Sequence, residues 1–175
     1  MVLVDPNIIR QIMPLSGARA DVFADPIAET LIEFQITTPQ RIAAFLAQIA
    51  HESGQLLYTE EIASGSAYEG RIDLGNTEPG DGIKFKGRGL PQITGRANYK
   101  LCGAALGYDL LAVPSLLSNP VPASRSAGWF WRMHDFNKYA DKDQFGSLTH
   151  AWNGGYNGLD ERIGFWLKAR QVLGL

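Results

Sequence analysis

Between Glu61 and Gly89 the hydrophobic periodicity that runs through the rest of the chain stops, and Gly65, Gly70, Gly75, Gly80, Gly82, Gly87 and Gly89 share the stretch with Pro79. Glycine loses more backbone freedom than any other residue when held in a helix or strand, and proline lacks a donor, so no long regular element is expected there. The segment reads as a series of turns or a small β-hairpin. On either side of it apolar residues recur at helical spacing, which makes the chain mainly α. Unpatterned segments of this length inside compact domains are uncommon unless they serve a function, so this one is expected to form one wall of a substrate cleft.

The helical patterns have identifiable starts and stops. A first helix is predicted from about Pro6 to Met13 and a second from about Pro26 to Gln35. Thr38 can cap the third with its hydroxyl, and Pro39 suits the first helical position, where its missing N–H goes unused. This helix should run to about Ser53, with Ile42, Phe45, Leu46 and Ile49 marking its core-facing stripe. Thr94 can cap a helix that ends at Gly107, and further helices are expected at about Ala123–His134, Asp143–Trp152 and Gly158–Leu173. The turn Asn153–Gly158 separates the last two, and Trp129, Phe130 and Trp131 read chiefly as core.

Glu52 is the residue that stands out. It follows Phe45 by seven positions and Ile49 by three, which puts a carboxylate on the apolar stripe of its helix. Two readings stand at this point. Desolvation favours the protonated form that a general acid needs, whereas a buried arginine would make the same glutamate half of a core ion pair. A second carboxylate is near in sequence, at Glu60 or Glu61, where the loop begins. Inverting glycosidases hold their two carboxyl groups roughly 6.5–9.5 Å apart, a separation that one helix end and one loop can supply.

Other chemistries find less support. His51-Glu52 is followed at the next helical turn by Gln55 rather than histidine, and His51, His134, His150 and Cys102 form no metal-ligand spacing, so neither metal nor organic cofactor is expected. No serine sits in a nucleophile elbow. A net charge of −2 argues against nucleic-acid binding by counterion release. Lys84, Lys86 and Arg88 do form a local basic cluster, which reads as a solvated loop face or as a contact for an acidic polymer. A single cysteine permits no internal disulfide, no run is long enough for stable membrane insertion, and the opening residues lack the layout of a signal peptide.

Several stretches together resemble glycoside hydrolase family 19, and in particular its short phage-type endolysin branch. The run from Phe45 to Gly54 (FLAQIAHESG) resembles the family's catalytic helix. The run from Phe85 to Tyr99 (FKGRGLPQITGRANY) resembles its most diagnostic segment, and Asn153-Gly154-Gly155 and Glu161–Trp166 (ERIGFW) resemble two stretches further on. The resemblance implies Glu52 as general acid, Glu61 as general base with Glu60 and Glu69 as alternatives, and Thr94 and Asn153 as holders of the attacking water. It implies Gln92 and Asn98 as sugar-binding residues and Arg162 as a buried arginine tied to the catalytic network. Each also has a plainer reading: Thr94 as a helix cap, Gln92 as a loop-fixing amide, Asn153 as a turn former, Arg162 as a structural partner of Glu52. Unlike the plant chitinases of the family, the chain lacks disulfides, has Leu90-Pro91 after Gly-Arg-Gly, and brings its second carboxylate much sooner.

The expectation is therefore a lysozyme-like, mainly α single domain over residues 1–175 with no separate wall-binding module, acting as a monomer. As implied by the resemblance, it would hydrolyse the β-1,4 bond between N-acetylmuramic acid and N-acetylglucosamine in peptidoglycan strands, with inversion, as an endolysin that accumulates in the host cytoplasm before reaching the wall. The alternatives are a chitinase of the same family, a lytic transglycosylase, and a wall-binding protein without activity.

Overall fold

The computed structural model describes residues 4–175. Nine α-helices follow one another among the described residues: α1 Pro6–Ile12, α2 Arg19–Glu33, α3 Pro39–Glu52, α4 Asp81–Lys84, α5 Arg96–Leu106, α6 Pro120–Met133, α7 Asn137–Ala140, α8 Phe145–Asn153 and α9 Leu159–Val172. None is long and apolar enough to cross a membrane. The start expected from the Thr38 hydroxyl is where that chemistry puts it, and the first helix begins at Pro6 behind a cap of its own. The Asp5 carboxylate accepts from Ile8 N at 2.8 Å ahead of Pro6, and the Thr38 hydroxyl accepts from Arg41 N at 3.3 Å ahead of Pro39.

Three expectations need correction. The second helix begins at Arg19, with Pro26 inside it rather than at its start. Pro26 can supply no bond to the carbonyl of Val22, but Val22 is 53% exposed, so water is available to that turn. The sixth helix starts at Pro120, because Pro122 falls in the first turn, where amide protons have no intrahelical acceptor. Thr94 does not cap α5: Gly95 occupies that position, and the Thr94 hydroxyl donates to Gln92 O at 3.1 Å.

The helix α3 runs through the middle of the molecule. Every residue from Ile42 to Ala50 is buried, so the helix is enclosed on all sides and has no single core-facing stripe. Its large residues Ile42, Phe45, Leu46 and Ile49 are joined by Ala43, Ala44, Ala47 and Ala50, whose small side chains let neighbours approach closely. The helix α9 lies along α3, α1 packs against both α2 and α9, and α6 packs on α2 and α5. An aromatic cluster completes the core. Trp131 meets Phe45 and Phe136 edge-on, with ring centroids 5.5 Å apart in each case, and its indole N–H is satisfied by Asn137 Oδ1 at 2.8 Å.

The glycine-rich segment forms no hairpin. It is a chain of short turns, with 3-10 helices at Ser66–Tyr68 and Ile72–Leu74 followed by the single turn of α4. Extended pairing is reduced to two isolated antiparallel bridges, Glu60 with Arg88 and Arg88 with Ile93. What orders it is polar chemistry. Asn76, fully buried, donates to Tyr68 O and accepts from Arg96 N, each at 2.8 Å, while the Arg96 guanidinium grips the buried Asp81 carboxylate.

Candidate active site

The last turn of α3 delivers Glu52 to a buried polar network. Arg162 of α9, with 2% of its side chain exposed, donates from Nη2 to Glu52 Oε1 at 2.5 Å. Its Nη1 donates to Gln48 Oε1 at 2.5 Å, and its Nε donates to Asn157 O at 3.2 Å. Gln48 in turn donates from Nε2 to the Thr149 hydroxyl of α8 at 2.9 Å. Glu52 and Arg162 are thus joined, as both the ion-pair reading and the family resemblance required. The second carboxylate oxygen, Oε2, accepts no hydrogen bond among the described residues, and 18% of the side chain remains exposed. One oxygen is therefore fixed and the other is open to a ligand.

A parallel contact lies one residue along on both helices. His51 Nδ1 is 2.5 Å from Glu161 Oε2, and the His51 ring rests on the backbone of Gly158. Gly158 has φ +69°, and any Cβ there would fall inside the ring.

Beyond Glu52 the chain reverses sharply. Gly54, Gln55 and Leu56 have φ of 54°, 60° and 68°, an unusual run for two non-glycine residues. The buried Ser53 hydroxyl stabilises the turn by donating to Ile49 O at 2.6 Å and accepting from Leu56 N at 2.8 Å. The reversal leads into Glu60 and Glu61, whose surroundings differ. Glu60 is bound by Lys86 Nζ at 2.8 Å, Arg88 Nε at 3.0 Å and the Ser118 hydroxyl at 3.2 Å. The Lys86 ammonium, with Arg88, holds its carboxyl down to about 2 against burial. Two members of the basic cluster are thereby spent on an internal ion triad instead of facing an outside polymer. Glu69 is occupied too, accepting from Gly80 N at 2.7 Å and Gly82 N at 2.8 Å. Among the described residues Glu61 has no cation on its carboxylate: Oε1 accepts from the Tyr68 hydroxyl and Oε2 from Gly87 N, both at 3.1 Å.

Gln92, Thr94 and Asn98 come together on a cleft of about 430 Å³, shared with Trp129, Phe130, His134 and Trp152. The aromatic residues of α6 therefore serve both core and cleft. Asn98 donates to Thr94 O at 2.8 Å and Gln92 donates to Gly89 O at 3.1 Å, which orients both amides. Gly87 links this cleft to Glu61, since a Cβ at Gly87 would lie 2.7 Å from Gln92 Oε1 and 3.3 Å from Glu61 Oε2. Asn153 ends α8 one residue after Trp152, and its amide Nδ2 is buried with no partner among the described residues. Asn153 does not itself line the cleft, and such a buried orphan donor is suited to a bound water.

Among the described residues no group of three or more His, Cys, Asp or Glu is placed to hold a metal ion. Cys102 is buried, and desolvation pushes its thiol up to about 12, so it is no nucleophile at neutral pH.

A family model described as class I chitinase, of glycoside hydrolase family 19, matches residues 28–154. The chain belongs to glycoside hydrolase family 19. An endochitinase of Arabidopsis thaliana is 36% identical over 157 residues, which cover 85% of this chain and 53% of that protein. A glycosyl hydrolase family 19 domain-containing protein of Haemophilus influenzae is 34% identical over 102 residues, covering 58% of this chain and 49% of its own length. The chain thus spans about half the length of the curated relatives it matches. In fold it is similar to chitinase C of Streptomyces griseus, with a TM-score of 0.81 at 24% identity over 98% of this chain and 77% of that one. A bacterial family 19 chitinase gives the same score and identity over 99% and 96%. The lysozyme-like, mainly α architecture is the family 19 fold.

Within this family 19 site, reasoning from sequence missed Gln48, Thr149 and Tyr68. Gln48 carried one available signal: an amide one turn before Glu52, in a helix otherwise apolar through its middle. Thr149 and Tyr68 carried none, because each meets its partner only through tertiary packing.

Proposed function

We propose that this chain is an inverting glycoside hydrolase of β-1,4-linked N-acetylhexosamine polymers, with peptidoglycan as its substrate. The observation that carries the reading is the contrast between two carboxylates. Glu52 has one oxygen anchored by Arg162 and one open, while the Glu61 carboxylate, among the described residues, accepts from neutral donors only. In the reaction, protonated Glu52 gives its proton to the glycosidic oxygen as the bond to the anomeric carbon breaks. Ionised Glu61 takes a proton from a water that attacks the opposite face of that carbon, so one water is consumed and the configuration inverts. Thr94 and Asn153 orient the water, and Gln92 and Asn98 hold the sugar. The unpaired, buried Nδ2 of Asn153 supports its part.

Peptidoglycan is favoured by the resemblance to the short endolysin branch, a setting in which the enzyme is made in the host cytoplasm and acts on the wall after release. Chitin is the second reading, favoured because relatives such as the Arabidopsis protein are named endochitinases. Turnover of purified peptidoglycan and of soluble chitin oligomers, measured side by side, separates the two. Strong chitin cleavage without wall lysis sinks the first. Mass spectrometry of the wall fragments tests the chemistry, since 1,6-anhydromuramic ends would mean transglycosylation without water. Glu52→Gln should abolish turnover, and a variant that still lyses walls would overturn the catalytic reading altogether.

A further inference from the structure

Arg162 is a buried cation whose orientation decides what Glu52 can do, and the residue that orients it lies on α3 itself. Gln48 is fully buried and sits one helical turn before Glu52, so both side chains leave the same side of the helix. Arginine only donates, so the Gln48 amide must turn its oxygen to Arg162 and its nitrogen to Thr149. The arginine thereby keeps the amide from flipping, and the amide nitrogen is held by the hydroxyl of a threonine that is itself fully buried on α8. The guanidinium is then held at Nε by Asn157 O, at Nη1 by Gln48 and at Nη2 by Glu52, which defines its plane on three sides.

We infer that Gln48, braced by Thr149, is a positioning residue that clamps Arg162 against Oε1 of Glu52 and so keeps Oε2 aimed at the glycosidic oxygen. This rests on the reading of Glu52 as the general acid. The charged groups around the clamp are few: Glu52 and Arg162 themselves, with His51 and Glu161 paired beside them on the same two helices. Two helices and a third are tied through one amide, and proton donation is sensitive to small errors of aim.

Three variants test it on the full chain. Gln48→Met keeps volume but removes the acceptor, and kcat should fall about 10-fold with KM within about twofold, because the lost contact aims the acid and does not touch the sugar. Gln48→Glu places a second carboxylate on the same guanidinium. With the guanidinium shared between two carboxylates its hold on Oε1 of Glu52 is divided, and kcat should again fall with KM within about twofold. Thr149→Val should lower kcat in the direction of Gln48→Met, and Thr149→Ser, which retains the hydroxyl, should recover most of it. A purely structural amide would lower Tm while leaving kcat and KM of the folded fraction unchanged, and that result overturns the clamp. Glu52→Gln is run alongside. If it stays active the reading of Glu52 has failed and the clamp falls with it; if it is dead while the Gln48 variants keep the parent's kcat, only the clamp has failed.

Discussion

The pairing of Glu52 with Arg162 makes a quantitative prediction about stability, separate from catalysis. Replacing Arg162 by Met removes a side chain that is 2% exposed and three donors together with it. Gln48 Oε1, in a fully buried residue, loses its donor, and an unsatisfied buried acceptor costs about 1–3 kcal/mol. Glu52 loses its counter-charge, and breaking a buried pair from one side costs about 3–5 kcal/mol in total. Water reaches the carboxylate, whose side chain is 18% exposed, so the low end, about 3 kcal/mol, is expected. At about 2–4 °C per kcal/mol for a chain of this size, Tm should fall by about 6–12 °C. Glu52→Gln keeps an acceptor for Nη2 but strands the guanidinium, at a cost of about 2–3 kcal/mol. In the double variant neither charge is left facing a missing partner, so its loss should be smaller than the sum of the two by about 1–3 kcal/mol. Urea unfolding of the four proteins, compared at constant m, measures that coupling. Additivity within about 0.5 kcal/mol would refute the argument, because it would mean that the two side chains do not depend on each other.

Gly158→Ala should destabilise the protein by about 2–3 kcal/mol, since it combines a positive φ with a Cβ that displaces the His51 ring from Glu161. A thermal melt unchanged from the parent would show that the ring has room to move. Glu60 has a folded value of about 2 against an ordinary 4.5, so its contribution to stability is complete above 4.5 and is lost as pH falls toward 2. Glu60→Gln should therefore flatten the acid dependence of the urea midpoint in that window, and parallel curves for parent and variant would contradict the ion triad. Glu61→Gln should lower kcat by about 100-fold or more, whereas Glu69→Gln, which loosens only the bonds to Gly80 and Gly82, should stay within a few-fold in initial-rate assays. The reverse ranking would move the base to Glu69.

Much of this molecule was legible in its sequence because it depends on short-range chemistry. Thr38-Pro39 starts α3 through a hydroxyl and a fixed φ, and helical spacing carries Glu52 to the end of that helix whatever surrounds it. The motif around Phe85–Tyr99 likewise brings Gln92, Thr94 and Asn98 onto one cleft through their closeness in the chain. Three-dimensional packing decided the rest. Periodicity marks one stripe of α3 as buried, but only the neighbours on every side show that Ile42 to Ala50 is enclosed throughout, since burial depends on what packs against a helix. Glu60, Glu61 and Glu69 look alike as letters. They are told apart by Lys86, Arg88, Tyr68 and the Gly80–Gly82 amides, brought to them by a loop without periodicity to reveal its course. Arg162 and Thr149 lie more than a hundred residues from Gln48. A side chain's partner is local information only when the backbone between the two is regular, and here it turns through most of the molecule first.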